Sequence, residues 1–312
     1  MASGAFNIAV TGMQAMSKEL EVISNNIANS QTTAFKANSI TFQEVYVSHS
    51  GQYANGTHNQ FGNGVTGAGV TTDWGTGSIT STGTSSNLAI TADGFYMVFF
   101  NGATYYTRAG DFTLCKNPYY TEGNTTDGDL RSVEYVFMNS NGAILMGGSG
   151  TDSNTNLVKH VQCDFNPDAA LWDVSVVGFS TFDGTKGGAP TAYTITADGT
   201  LSCEPNDTVK VHAGNIGLQR FNNPDSLERV DGGLYKPTTD TAFNTGDSES
   251  LTPTIAGENG AGNITQGALE ASNVDLVTEF TNMITAQRSF QANSKVITTQ
   301  NDLYQTVLQM VQ

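Results

Sequence analysis

Apolar residues recur at intervals of seven at both ends of this chain, and the long middle lacks that period. In residues 5–30, Phe6, Met13, Leu20 and Ile27 stand seven apart, and Ala9, Met16 and Ile23 follow the first three of them at a spacing of three. This a/d arrangement predicts an amphipathic helix with a coiled-coil seam. Gln14, Ser17, Lys18 and Glu21 form its polar face. In residues 273–312, Leu276, Met283, Phe290, Ile297, Tyr304 and Val311 make a second series. Phe280 and Leu308 are its companions, and Gln287, Ser294 and Asn301 leave its middle half polar. Ser272 and Asp275 read as a capping box ahead of that helix. At 1.5 Å per residue the helices reach about 40 Å and about 60 Å. Neither is apolar enough to span a membrane. A two-helix layer folded onto a monomer is the plainer reading. The narrow, Met-rich, partly polar seams favour bundling with other copies, leaving the tails unpartnered in an isolated chain.

Between the ends the pattern switches to short alternating runs. Residues 31–70 read as extended and irregular. Strands are expected at Gly69–Asp73, Ser78–Thr80, Leu88–Thr91, Phe95–Phe100, Thr104–Thr107, Phe112–Leu114, Tyr135–Met138 and Ile144–Met146. Further ones fall at Val158–Phe165, Leu171–Phe179, Tyr193–Thr196, Thr208–Val211, Asn215–Phe221 and Gly233–Pro237. Asn101-Gly102, Asn141-Gly142 and Asp198-Gly199 are turn signals. Residues 257–271 read as a polar, Gly-rich connector. No period of 20–50 residues marks a solenoid.

Composition narrows the function. The chain has 312 residues, 13 % of them charged, and a net charge of −16. Such an acidic surface repels nucleic acid and anionic lipid. No basic region followed by an apolar run opens the sequence, so no cleaved Sec-type signal is expected. Three widely spaced cysteines, Cys115, Cys163 and Cys203, do not form a disulfide framework and read as small strand fillers. His160, Cys163, Cys203 and His212 match no usual zinc spacing.

Other chemical signals dissolve on inspection. Gly62-Asn63-Gly64-Val65-Thr66-Gly67 has the letters of a dinucleotide loop, but no helix is expected after it. Asp127-Gly128-Asp129 is too short for a calcium loop. The aromatics at 95–106 read as core and cross-strand pairs rather than a stacking platform. No catalytic residue, cofactor or metal is expected.

Particular runs carry a family likeness. Val22-Ile23-Ser24-Asn25-Asn26-Ile27-Ala28-Asn29-Ser30-Gln31-Thr32-Thr33-Ala34-Phe35-Lys36 is one. Gly267-Ala268-Leu269-Glu270-Ala271-Ser272-Asn273-Val274-Asp275-Leu276 is another, followed by Ala286-Gln287-Arg288-Ser289-Phe290-Gln291-Ala292-Asn293-Ser294-Lys295. Internal matches are Leu88-Ala89-Ile90 with Gly94-Phe95-Tyr96, Tyr106 to Phe112, and Leu218 to Tyr235. With these the chain resembles the axial proteins of the bacterial flagellum, most closely hook subunits. The family usually has Gly where Ala34 stands. Residues 148–213 match weakly.

The resemblance implies a mainly β chain with long helical termini. Residues 1–30 and 273–312 would form an inner coiled-coil-like tube, joined through 31–70 and 257–272 to a β domain of 71–147 and 214–256. Residues 148–213 would be an inserted outer β domain. It implies a self-assembling, curved hollow hook that carries torque and is exported through the flagellar type III apparatus to the outside of the cell. The partners implied are copies of the chain, the distal rod protein, the hook cap, the hook–filament junction proteins and the export apparatus. Nucleic acid and membrane insertion are not expected. The expected assembly residues are Phe6, Met13, Leu20, Ile27, Met283, Phe290 and Ile297, with Asn25, Asn26 and Asn29 as polar contacts. A distal rod subunit, or a secreted adhesin or carbohydrate-binding module, are the alternatives.

Overall fold

The computed structural model describes residues 2–45, 47–52, 58–119, 134–148, 174–181, 193–203, 209–212, 215–238, 254–257 and 260–311. The chain divides into two compact units. Unit 1 comprises Met1–Gln31, Lys36–Gly75 and Asn273–Gln312, and unit 2 comprises Thr32–Phe35 and Thr76–Ser272. The turn at Asp127–Asp129, His160, Cys163 and the strand expected at Val158–Phe165 lie outside the described residues.

Unit 1 is built on two helices, α1 (Ala2–Ala28) and α2 (Leu276–Val311). The sequence set the start of α2 at 273, with Ser272 in a capping box. Asp275 is the cap: its carboxylate accepts the Val277 N–H at 3.0 Å and the Thr278 hydroxyl at 2.7 Å. The Thr278 bond, then the Val277 amide, holds the Asp275 carboxyl below its ordinary pKa. An ionised carboxylate at a helix N-terminus meets the positive end of the helix dipole, which fixes the boundary at Leu276.

Residues 38–72 are not irregular. Strands β1 (Asn38–Glu44), β2 (Val47–Gln52), β3 (His58–Gly62) and β4 (Val65–Thr72) form a nested antiparallel ribbon, β1 on β4 and β2 on β3. Asn38, Ile40 and Phe42 are half-buried and alternate with exposed Ser39, Thr41 and Gln43, the period of a strand with one covered face. Glycines in β4 hid its first half, and its second half falls in the strand expected at Gly69–Asp73. The residues Gly62 to Gly67 form the turn from β3 into β4, with Gly64 at φ +109°.

Unit 2 carries the remaining strands. They run β5 (Ile79–Ser81), β6 (Leu88–Ile90), β7 (Phe95–Phe100), β8 (Ala103–Thr107), β9 (Thr113–Lys116), β10 (Tyr135–Met138) and β11 (Ile144–Gly148). Then come β12 (Val174–Val176), β13 (Gly178–Thr181), β14 (Tyr193–Ile195), β15 (Leu201–Cys203), β16 (Val209–His212) and β17 (Asn215–Gln219). Last are β18 (Glu228–Val230), β19 (Leu234–Lys236), β20 (Thr254–Ile255), β21 (Ile264–Gln266) and β22 (Ala268–Glu270). The main sheet follows the order β16-β13-β10-β11-β17-β7-β8-β19-β18. The β7–β8 hairpin turns at Asn101-Gly102, with φ of 47° and 81°, as its two left-handed positions require. In the weakly matching stretch β12, β13 and β16 join this same sheet, β12 pairing with β11, β13 with β10 and β16 with β13, while β14 and β15 pair with each other. Residues 257–271 also hold more than a connector, since β21 pairs with β6 and β22 with β5.

Both faces of β7 are covered. Tyr96 and Val98 enter the main core with Leu88, Phe112, Phe137, Leu145, Ile216 and Leu218. Phe95 faces the other way and meets Phe221 and Tyr235 edge-on at 5.4 and 5.8 Å. Tyr106 meets Phe221 at 4.9 Å. The aromatic run is therefore core, and each such side chain contributes about 1.5–3 kcal/mol by leaving water. Burial raises the pKa of Tyr96, Tyr106, Tyr193 and Tyr235. In the unfolded chain these phenols ionise near pH ~10. The stability they contribute is thus complete below about pH 10 and falls as pH rises beyond it. A phenolate absorbance titration is expected to find these four silent until unfolding releases them together.

Candidate assembly surface

The two helices of unit 1 run antiparallel. The position of a Gly12 Cβ lies 2.8 Å from the Asn293 side-chain nitrogen, and Asn26 donates to Glu279 at 2.8 Å. Moving fourteen residues forward on α1 thus means moving fourteen back on α2. On α1, Ala9, Ile23 and Asn26 are buried and Gly12, Met16 and Glu19 half-buried, at alternating steps of three and four. On α2, Ala286 is buried and Glu279, Met283, Asn293, Ile297 and Gln300 are half-buried. The expected series Ala9, Met16, Ile23 lies on this face of α1 together with Gly12, Glu19 and Asn26, which were not in the expected seam. Likewise Ala286, Asn293 and Gln300 line α2, while Gln287 and Asn301 are exposed. Small residues let the backbones approach, and the polar ones find partners, so neither signal appears in a count of large apolar side chains.

Asn26 illustrates the second point. It is 1 % exposed. Its amide donates to the Asn38 carbonyl and to Glu279, both at 2.8 Å, and its oxygen accepts the Asn38 N–H at 2.9 Å. It therefore ties α1, β1 and α2 together within one chain, and each buried polar atom is satisfied. Asn29 donates to the Asn25 carbonyl and side chain at 2.9 and 3.0 Å, at the end of α1. Burial raises the Glu19 pKa. The expectation that the tails lack partners in a single chain is thus overturned for this face: α1 and α2 hold each other, and α1 also lies on β1 and β4.

A second face stays open. Of the other expected residues, Phe6 and Phe290 are each 39 % exposed, and Met13, Leu20 and Ile27 are half-buried. More apolar surface lies on residues outside the expected set. Val277, Phe280 and Ile284 are exposed along the first turns of α2, and Val296, Leu303, Val307 and Met310 along the rest. Their steps of three, four and seven place them in stripes along α2. Residues 301–310 are exposed throughout. Ile8 is exposed on α1. A run of large apolar side chains facing water marks a surface that other protein covers.

The rest of α2 suits such a surface. It carries only Glu279, Arg288, Lys295 and Asp302 as charges. The hydroxyls of Thr281, Thr285, Thr298, Thr299 and Thr306 bond back to carbonyls of the same helix, so these polar residues make few demands on a neighbour. Among the described residues no three His, Cys, Asp or Glu side chains gather as a metal site. Cys115 is a free thiol within β9.

Comparison with known proteins agrees with this architecture of helical ends and a β body. Residues 6–36 match the family model described as flagella basal body rod protein, and residues 265–310 match that of the flagellar basal body rod FlgEFG protein C-terminal. The chain is 30 % identical to the flagellar basal-body rod protein FlgG of Bacillus subtilis, over 96 % of each chain. It is 28 % identical to the FlgG of Caulobacter vibrioides, over 98 % of each. Against the flagellar hook protein FlgE of Escherichia coli it is 25 % identical, covering 98 % of this chain and 100 % of that one. The chain belongs to the flagellar rod and hook family of axial structural proteins.

The residue that departs from the family's usual Gly has a structural cost. Ala34 sits at φ 55°, a left-handed conformation that costs a side chain with a Cβ about 1–2 kcal/mol. Its N–H still bonds the Glu270 carbonyl at 2.8 Å. Ala34→Gly is expected to stabilise the chain by about 0.5–1 kcal/mol after its own entropy loss, read as a raised denaturant midpoint at unchanged m-value.

Proposed function

We propose that this chain is the structural subunit of a flagellar hook. It polymerises through its terminal helices into a curved hollow tube that carries motor torque to the filament. The observation that carries this reading is the open apolar face of α2, which a single chain leaves in water. In the polymer, neighbouring copies cover that face, and the helices form the inner wall. The expected residues Phe6, Met13, Leu20, Ile27, Met283, Phe290 and Ile297 belong to this proposal together with Phe280, Ile284, Val296, Leu303, Val307 and Met310. The Gly-, Ser-, Thr- and Asn-rich body supports a hook, because surfaces that slide past one another during bending favour small polar contacts over apolar locks. Export without a cleaved signal, and contacts with the distal rod protein, the hook cap and the junction proteins, follow from the same reading.

A distal rod is the second reading. The rod relatives align over 308 and 316 residues, close to the 312 of this chain, whereas the hook alignment extends over 417. Family membership leaves the adhesin and carbohydrate-module readings without support. Electron microscopy of a deletion strain separates the other two. A complete rod with no hook is the expected result. A truncated rod would make the chain a rod subunit, and normal flagella would reject both readings.

A further inference from the structure

Glu270 gathers strands that are far apart in sequence. The chain passes between its two units four times, after Gln31, Phe35, Gly75 and Ser272. Within unit 2, the ends of three of these passages meet at Glu270, the last residue of β22. Its carbonyl accepts the Ala34 N–H at 2.8 Å, and one carboxylate oxygen accepts the Gly77 N–H at 2.9 Å. The other carboxylate oxygen accepts from the Arg108 guanidinium at 3.3 Å, with Arg108 and Glu270 4 % and 1 % exposed. Arg108 in turn donates to the Gly94 carbonyl at 2.7 Å. The next residue closes the same group, as the Ala271 N–H bonds the Ser78 carbonyl at 2.8 Å. Gly77 has no room for a side chain, because a Cβ there overlaps the Ala271 carbonyl oxygen.

Three residues further on, unit 1 repeats the device with another side chain. Asn273 accepts the Ala37 N–H at 2.7 Å through its oxygen. Its amide donates to the Asp73 and Gly75 carbonyls at 2.9 and 3.2 Å. The Lys36 ammonium donates to the Gly75 carbonyl at 2.7 Å. Each unit thus ties its own ends of the crossing chains together: the Glu270 carbonyl holds position 34 and its carboxylate position 77, with position 271 next to it, and the Asn273 side chain holds positions 37, 73 and 75.

We infer that Glu270 and Asn273 are positioning residues that confine motion between the two units to the few backbone bonds left between the clasps. Three strands then share any load, where a single tether would swivel freely. A carboxylate accepting a backbone N–H and a guanidinium forms strong, charge-assisted bonds, and an amide with both its oxygen and nitrogen engaged fixes the strands on either side of it. The consequence for torque transfer rests on the axial-polymer reading. The clasps themselves do not.

Amide hydrogen exchange on the full-length chain tests this. In Glu270→Ala the Gly77 amide, which loses its side-chain acceptor, is expected to gain about tenfold or more in exchange rate over and above the acceleration that Ala34, Val98 and Leu145 share through the global loss of stability. Asn273→Ala, which leaves no charge buried, is expected to release Ala37 in the same local way. Asn273→Asp keeps the acceptor and is expected to restore protection at Ala37. Cells carrying Asn273→Ala are expected to build polymers of normal length and to swim poorly. Acceleration at Gly77 no greater than at Val98 and Leu145 in Glu270→Ala, together with unchanged exchange at Ala37 in Asn273→Ala, overturns the inference, and normal swimming in Asn273→Ala removes its functional part. A wild-type chain that forms no polymer strikes the hook and rod readings alone, because the exchange experiment is read on the free chain.

Discussion

Replacing Leu303 and Val307 together by lysine is expected to leave a folded monomer that no longer polymerises. Both side chains are largely exposed on α2, so the single chain loses almost no packing, and its melting temperature is expected to stay within about 2 °C. In the polymer each is worth about 1.5–3 kcal/mol once covered. Losing two weakens each subunit contact by roughly 10²- to 10⁴-fold, before the cost of burying a lysine ammonium is counted. Sedimentation of the purified chain, with electron microscopy of negatively stained material, reads the result. Polymers of normal length would show that this face is not an interface. The same pair of lysines placed at Ala286 and Asn293, on the inner face, is expected to disturb the monomer as well, which separates the two faces of α2.

The second large effect is expected at the buried ion pair. Arg108→Met leaves the Glu270 carboxylate without its charged partner in a site that excludes water. Breaking a buried pair from one side costs about 3–5 kcal/mol, and thermal unfolding followed by circular dichroism should register it as a fall of many degrees. Arg108→Met combined with Glu270→Leu removes both charges and is expected to recover much of that loss. The double variant still lacks an acceptor for the Gly77 N–H. It is therefore expected to regain stability without regaining protection at Gly77, a combination that no general weakening of the fold produces. An additive loss in the double variant would refute the coupling of Arg108 and Glu270.

How much of this was legible in the sequence depended on what kind of residue carried each feature. Strands with alternating aromatic and branched residues, such as Phe95–Phe100 and Tyr135–Met138, could be placed to the residue. Turns at Asn101-Gly102 and Asp198-Gly199 followed from the need for positive φ. Strands built from glycine and threonine, such as Val65–Thr72, were legible only in part, at Gly69–Asp73, because their partners make them and their composition does not. Helix existence was plain from the period of seven. The face each helix turns inward was not, since Gly12, Ala286, Asn26 and Asn293 are chosen for close approach and hydrogen bonding and hydrophobicity ranks them low. The capping carboxylate of Asp275 was visible, but which of two candidate caps would act depended on the reach of its oxygens to Val277 and Thr278. Glu270 stood inside a recognised run, yet nothing local announced that Ala34, Gly77 and Arg108 would converge on it.

The sparing use of charge on the helices has a consequence for how copies meet. On α2 two acids stand against two bases, and α1 carries only Lys18, Glu19 and Glu21, so nearly all of the net −16 lies elsewhere in the chain. Helix-to-helix contacts between copies then form with little Coulomb opposition, and dissolved salt leaves their strength almost untouched. The acidic bodies repel one another across water, where counter-ions at physiological concentration damp the field within about 8 Å. In the proposed polymer, dilute buffer is expected to push the acidic bodies apart while the helical contacts hold, so ionic strength becomes a handle on the spacing of the bodies alone.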